Sequence, residues 1–249
     1  MAKTRKTILL LAGTAEAVEL ARRAAALPDL RVIVSLAGRT RDPVRPPGEI
    51  RVGGFGGAAA LARFIASEKI SGVIDATHPF ATRISANAAV AAAEAGRPRL
   101  VLTRPPWTPA AGDRWQMVAD AAAAAAALAP GARAFLTTGR RDMAAFATRA
   151  DVHYVVRLID PPAMPLALPH FDLTLGRGPF AVASERALLA AHKIDVVVTK
   201  NSGGPASRPK LDAAREAAIP VILIDRPPPP DGETVTTVDA ALAWLAALA

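Results

Sequence analysis

The chain has 249 residues, 51% of them hydrophobic, enough to build one large core or two smaller ones and too apolar for general disorder. It contains no cysteine, which excludes disulfides, thiol nucleophiles, zinc ribbons and iron–sulfur ligation together and leaves nothing that requires an oxidising compartment. The net charge of +8 attracts anions, but the basic residues are scattered and only 4% of residues are aromatic, so a small polycarboxylate or phosphate fits better than nucleic acid.

The apolar run near the N-terminus is broken at Gly13, too early for a secretory signal, and no stretch approaches the ~20 apolar residues of a membrane span; a cytoplasmic setting is expected. Residues 7–12 read as a strand, followed by the turn Gly13-Thr14-Ala15-Glu16 and an alanine-rich helix over 17–27. A strand over 31–36, a proline-rich loop, a strand over 50–52, a glycine cluster and a helix ending near residue 67 come next. A short strand over 73–75 ends in Ala-Thr-His-Pro-Phe80, a helix spans 85–96, and residues 100–102 return to the sheet. This alternation implies βαβ crossovers and parallel strands. Residues 104–112 lose all periodicity and read as a linker. A second series follows, with strands over 134–138, 153–158, 171–175, 195–199 and 220–225, and helices over 119–129, 143–149, 184–191, 211–218 and 238–248. The expected fold is α/β: two Rossmann-like half-domains with mainly parallel sheets and a cleft between them. The first would span 1–105 and the second 106–249, with the C-terminal helix able to pack back on the first.

In open parallel sheets ligands gather at the carboxyl ends of strands, so polar groups placed there carry the chemistry. The turn at Gly13 lies where a nucleotide-binding domain places its phosphate loop, but it has one glycine where the dinucleotide fingerprint needs three, and a plain helix-capping turn is equally compatible. After the second strand no acidic residue precedes Asp42 to hold a ribose 2′-hydroxyl, while Ser35, Arg39 and Arg41 could hold a 2′-phosphate; solvated arginines are the plainer alternative. Gly53-Gly54-Phe55-Gly56-Gly57 permits close approach of a ligand, or is a flexible turn with a buried Phe. Asp75-Ala-Thr77-His78-Pro79 gathers a carboxylate, a hydroxyl and an imidazole, with helix capping as the competing role. The histidines at 78, 153, 170 and 192 show no metal-ligand spacing, and no metal is expected. In the second half Thr137-Thr138-Gly139-Arg140-Arg141 repeats the pattern of strand, hydroxyls and glycine, and Arg157, Lys200 and Lys210 add positive charge. The most heavily loaded strand end is Thr199-Lys200-Asn201-Ser202-Gly203-Gly204.

Leu10-Leu-Ala-Gly-Thr-Ala-Glu-Ala17, Val73-Ile-Asp-Ala-Thr-His-Pro-Phe-Ala81, Leu136-Thr-Thr-Gly-Arg140 and Val198-Thr-Lys-Asn-Ser-Gly-Gly204 together resemble the precorrin-6A reductase family of cobalamin biosynthesis, in order over nearly the whole chain. The resemblance implies an oxidoreductase that uses NADPH to reduce one double bond of the precorrin-6A macrocycle, with hydride delivered to the ring and a proton to the adjacent carbon. It implies a tetrapyrrole substrate, with neighbouring enzymes of the pathway as candidate partners and neither membrane nor nucleic acid among them. NADPH is expected at Gly13, Thr14, Glu16, Ser35, Arg39, Gly54, Phe55, Thr77 and His78. The macrocycle is expected at Thr137, Thr138, Arg140, Arg157, Lys200, Asn201, Ser202, Gly203 and Lys210. Lys200 and Asp75 are the candidate proton donors, Lys200 alternatively only holding a carboxylate. The competing class is a non-redox binding protein or transferase for an anionic tetrapyrrole or nucleotide.

Overall fold

The computed structural model describes residues 5–38 and 45–248. In chain order the first series is β1 (Lys6–Ala12), α1 (Ala15–Ala25), β2 (Leu30–Leu36), β3 (Glu49–Val52), α2 (Ala58–Ser67), β4 (Ile70–Ala76), α3 (Thr82–Glu94) and β5 (Arg99–Leu102). The second is β6 (Trp115–Val118), α4 (Ala121–Ala126), β7 (Arg133–Leu136), a 3₁₀ turn (Arg140–Asp142) running into α5 (Met143–Phe146), β8 (His153–Leu158), β9 (Phe171–Leu175), α6 (Val182–Ala191), β10 (Val196–Lys200), α7 (Pro209–Glu216) and β11 (Val221–Ile224). The chain closes with β12 (Glu233–Val235) and α8 (Val238–Ala247).

These elements form two compact units, one made of Met1–Pro105 with Pro227–Ala249, the other of Pro106–Arg226. The second body expected over 106–249 therefore ends at Arg226, and the returning segment adds β12 and α8 to the first unit. Each unit holds a six-stranded sheet, ordered β12-β5-β4-β1-β2-β3 in the first and β6-β11-β10-β7-β8-β9 in the second, and every pairing is parallel. Both follow the Rossmann order, which reverses direction between β1 and β4 and again between β7 and β10. In the first sheet the strand beyond β5 comes from the segment that follows the second unit in sequence, Glu233 pairing with Leu100, whereas in the second the strand beyond β11 is that unit's own first strand, Trp115 pairing with Val221.

The central strands read as unbroken apolar runs because helices cover both of their faces. Alternate side chains of β1 serve two cores. Ile8 and Leu10 join Leu20 and Ala24 of α1 and Leu245 of α8, whereas Leu9 and Leu11 join Leu61 and Ile65 of α2 and Ala88 and Ala91 of α3. Gly72 in β4 is what lets the C-terminal helix settle here, since a Cβ would stand 2.8 Å from Leu248 Cδ1 and 3.1 Å from the Trp244 ring. In the second unit Phe135, Val155, Val197 and Leu223 pack with Leu189 of α6 and Leu211 of α7. The helices expected over 119–129 and 143–149 are shorter than their alanine content suggests, ending at Ala126 and Phe146. Because each sheet is wholly parallel, all strand ends that lead into helices lie along one edge, and Thr14, Ser35, Asp75 and Thr77 in the first unit and Thr137, Thr138 and Lys200 in the second fall there.

Candidate functional site

At the reversal in the first sheet, the turns after β1 and β4 lie side by side. Thr14 caps α1 by accepting from Ala17 N (3.1 Å), and its hydroxyl donates to Ala76 O at the end of β4 (3.0 Å), so a single side chain starts the helix and ties the two turns. Gly13 is exposed, and a Cβ there would lie 3.4 Å from His78 N. Glu16, in the first turn of α1, pairs with Arg104 at 3.2 Å, which offsets a negative charge that would otherwise oppose an anion at this helix start. Asp75 is 2% exposed; its Oδ1 accepts from Thr77 N (3.1 Å) and Thr77 Oγ1 (2.7 Å), and Thr77 Oγ1 lies 3.3 Å from Ser85 Oγ. Asp75 Oδ2 is buried with no hydrogen-bond partner among the described residues, an arrangement that costs free energy unless a bound group meets it. His78 Nδ1 accepts from Phe80 N (3.3 Å).

One strand further out, Ser35 is buried at the end of β2, in register with Leu11 on one side and Arg51 on the other. The glycine cluster after β3 is held from beneath: Arg51 donates to Gly53 O (2.6 Å) and Gly54 O (2.8 Å), and its guanidinium stacks 3.8 Å from the Phe55 ring centre. Phe55 packs edge-on to Phe64 and faces the core, so it shapes the turn from inside. Arg39 and Arg41 lie outside the described residues.

The reversal in the second sheet joins the turns after β7 and β10. Thr137 N donates to Val198 O (3.0 Å), and Thr138 is buried with its hydroxyl unpartnered among the described residues. Gly139 takes φ +88°, which turns the chain into Arg140–Asp142. Lys200 Nζ stands 2.6 Å from Asp142 Oδ2, linking the two turns. Ser202 is buried, its N–H donating to Lys200 O (2.7 Å), and Gly203 and Gly204 both take positive φ. Thr137, Thr138, Arg140, Lys200, Asn201, Ser202 and Gly203 thus belong to two adjoining turns.

Three expected macrocycle contacts have internal partners. Asn201 is buried and clasps the Trp107 peptide, accepting from its N–H (2.8 Å) and donating to its carbonyl (3.4 Å). Lys210 is 6% exposed, donates to Ser207 O (2.8 Å) and lies 4.9 Å from the Trp107 ring centre. Arg157 makes a bidentate pair with Glu185 at 2.7 and 3.1 Å, between the rings of Phe135 and Phe180. Two carboxylates near the opposite edge of this sheet are displaced: Arg149 holds Asp151 down to about 2, and His153 keeps Asp172 below the usual carboxylate range.

The family model described as "Precorrin-6x reductase CbiJ/CobK" matches residues 7–246. The chain belongs to the CbiJ/CobK family. A precorrin-6A reductase from Rhodococcus erythropolis is 51% identical over 245 residues, covering 97% of this chain and 98% of its own. One from Rhodobacter capsulatus is 46% identical over 241 residues, covering 96% and 95%. The solved structure "CobK precorrin-6A reductase" is 45% identical with a TM-score of 0.93, covering 98% of this chain and 97% of its own. Membership makes this chain an oxidoreductase of cobalamin biosynthesis with a nicotinamide cofactor, and the non-redox class is not favoured. No helix among the described residues is long and apolar enough to cross a membrane.

Within this CbiJ/CobK chain, residues that the sequence reading passed over now have places. Asp142, Arg104, Arg51 and Glu185 each partner a residue singled out from the sequence or shape its turn. Asp142 is the least conspicuous of them, since an acidic residue just before a helix looks like a cap. It makes no capping bond to α5.

Proposed function

We propose that the protein reduces precorrin-6A to precorrin-6B in the cytoplasm, with NADPH bound by the first unit and the carboxylates of the macrocycle held by the second. The observation that carries the reading is the first reversal point, where exposed Gly13, a capped helix start and a buried Asp75 Oδ2 with no hydrogen-bond partner among the described residues adjoin. These features fit a dinucleotide: the glycine leaves room for a phosphate, the α1 N–H groups attract it, and the Arg104–Glu16 pair removes the local repulsion. Ser35, with Arg39 beyond it, would take the 2′-phosphate. Gly54, where a Cβ would have no atom of the described residues beyond its chain neighbours within 4 Å, would admit the ligand close to the backbone. Thr77 and His78 border the same turn. The cofactor supplies hydride; the chain's residues hold both reactants in contact and deliver a proton to the carbon beside the reduced one.

The direct test is oxidation of NADPH on addition of precorrin-6A, followed by comparison with NADH. NADPH is expected to bind at least about tenfold more tightly, a difference of roughly 1.4 kcal/mol, and Arg39→Ala should erase most of it. Equal affinities would remove the 2′-phosphate role of Ser35 and Arg39. A second variant separates ligand from fold. The backbone of Gly54 lies outside the left-handed region and its surroundings among the described residues are open, so Gly54→Ala should leave the melting transition unchanged while weakening NADPH by about tenfold. Unaltered NADPH affinity in that variant would move the cofactor away from this turn.

A further inference from the structure

The 3₁₀ turn after β7 closes when Asp142 N donates to Gly139 O (3.2 Å). That closure brings the Asp142 side chain back toward the sheet. Its Oδ2 is buried and lies 2.6 Å from Lys200 Nζ, with the two side chains 20% and 19% exposed. The pair is enclosed enough to be shielded from salt, yet open enough that a ligand at the strand ends can reach the ammonium. A lysine ammonium rides on a flexible stem with no directional fork of its own, so at a binding edge its location has to be imposed by a partner.

We infer that Asp142 is a positioning residue: it fixes the Lys200 ammonium at the carboxyl end of β10 so that Lys200 meets the macrocycle from one direction. The inference rests on the reading of Lys200 as a macrocycle contact. In this role Asp142 acts through Lys200 and need touch neither substrate nor cofactor. Its effect therefore has to vanish when Lys200 is absent, which a purely structural carboxylate would not do.

The experiment is steady-state kinetics of the full-length enzyme with NADPH and precorrin-6A for wild type, Asp142→Asn, Asp142→Glu, Lys200→Ala and the double variant Asp142→Asn/Lys200→Ala. Asp142→Asn is expected to lower kcat/KM for precorrin-6A by about tenfold or more in the wild-type background and by less than about twofold in the Lys200→Ala background. KM for NADPH should be unchanged, the melting temperature should stay within a few degrees, and Asp142→Glu should recover part of the loss. An equal loss in both backgrounds overturns the inference, as does a full-rate Asp142→Asn beside an impaired Lys200→Ala; in the second case the reading of Lys200 survives. Wild-type kinetics in Lys200→Ala overturn both. Should the Asn variant fail to fold, Asp142→Ser carries the same comparison.

Discussion

Glu185→Ala is expected to destabilise the second unit by about 3–5 kcal/mol, the loss typical of removing one member of a buried ion pair. Glu185 is 1% exposed in the first turn of α6, and the Arg157 side chain that reaches it from β8 is 9% exposed. Both guanidinium nitrogens are bonded to the carboxylate, and the Phe135 and Phe180 ring centres lie 4.8 and 4.1 Å from the guanidinium carbon. Without the carboxylate a charge remains between two aromatic rings with water largely excluded, and the start of α6 loses a negative group that suits its dipole. Denaturant unfolding of the isolated variant measures this. The double variant Arg157→Leu/Glu185→Leu should be less destabilised than Glu185→Ala, because it removes both charges and keeps apolar volume. A loss under about 1 kcal/mol in Glu185→Ala would mean that the pair behaves as a surface contact. The same geometry changes how Arg157 is to be read: its charge is already offset, so a kinetic defect in an Arg157 variant has to be separated from misfolding before it is assigned to substrate binding.

The reversal points were legible from sequence because Ala12-Gly13, Asp75-Ala-Thr, Leu136-Thr-Thr-Gly and Thr199-Lys200-Asn are abrupt changes from buried strand to polar turn, and parallel strands put such changes on one edge. Strands β8 and β9 stand at the expected residues for a related reason: their apolar and β-branched content is local. The two strands that sequence reading passed over, β6 and β12, are short edge strands with largely exposed side chains, so no hydrophobic period announces them. Their pairing, and with it the return of the C-terminal segment to the first unit, depends on contacts far apart in sequence. The same holds inside the sites. Arg157 finds Glu185 28 residues away, and Asn201 clasps Trp107 94 residues away. A list of basic residues gives the total charge at a strand edge, but which cations face a ligand depends on which have been claimed by a partner.

Lys200→Ala is expected to lower kcat by about 10²–10⁴-fold with a smaller change in KM for precorrin-6A, the loss typical of removing a positioned proton donor. The argument turns on what each candidate still has to offer. Asp75 Oδ1 already receives two hydrogen bonds from Thr77, and the whole side chain is buried at the end of β4, an arrangement suited to accepting from a bound group through Oδ2. Lys200 carries donors only, lies 19% exposed at a strand end and stands 2.6 Å from Asp142 Oδ2, so of the two candidates it is the one with a proton to offer the carbon beside the one that receives hydride. Asp75→Asn keeps an acceptor for Thr77 but turns Oδ2 into a donor; it should therefore weaken NADPH more than it slows turnover at saturation. Measurements at saturating substrate separate the two roles. A raised KM with normal kcat in Lys200→Ala would rule out proton donation and leave Lys200 holding a carboxylate, while a collapse of kcat in Asp75→Asn with NADPH affinity intact would transfer the donor role to Asp75.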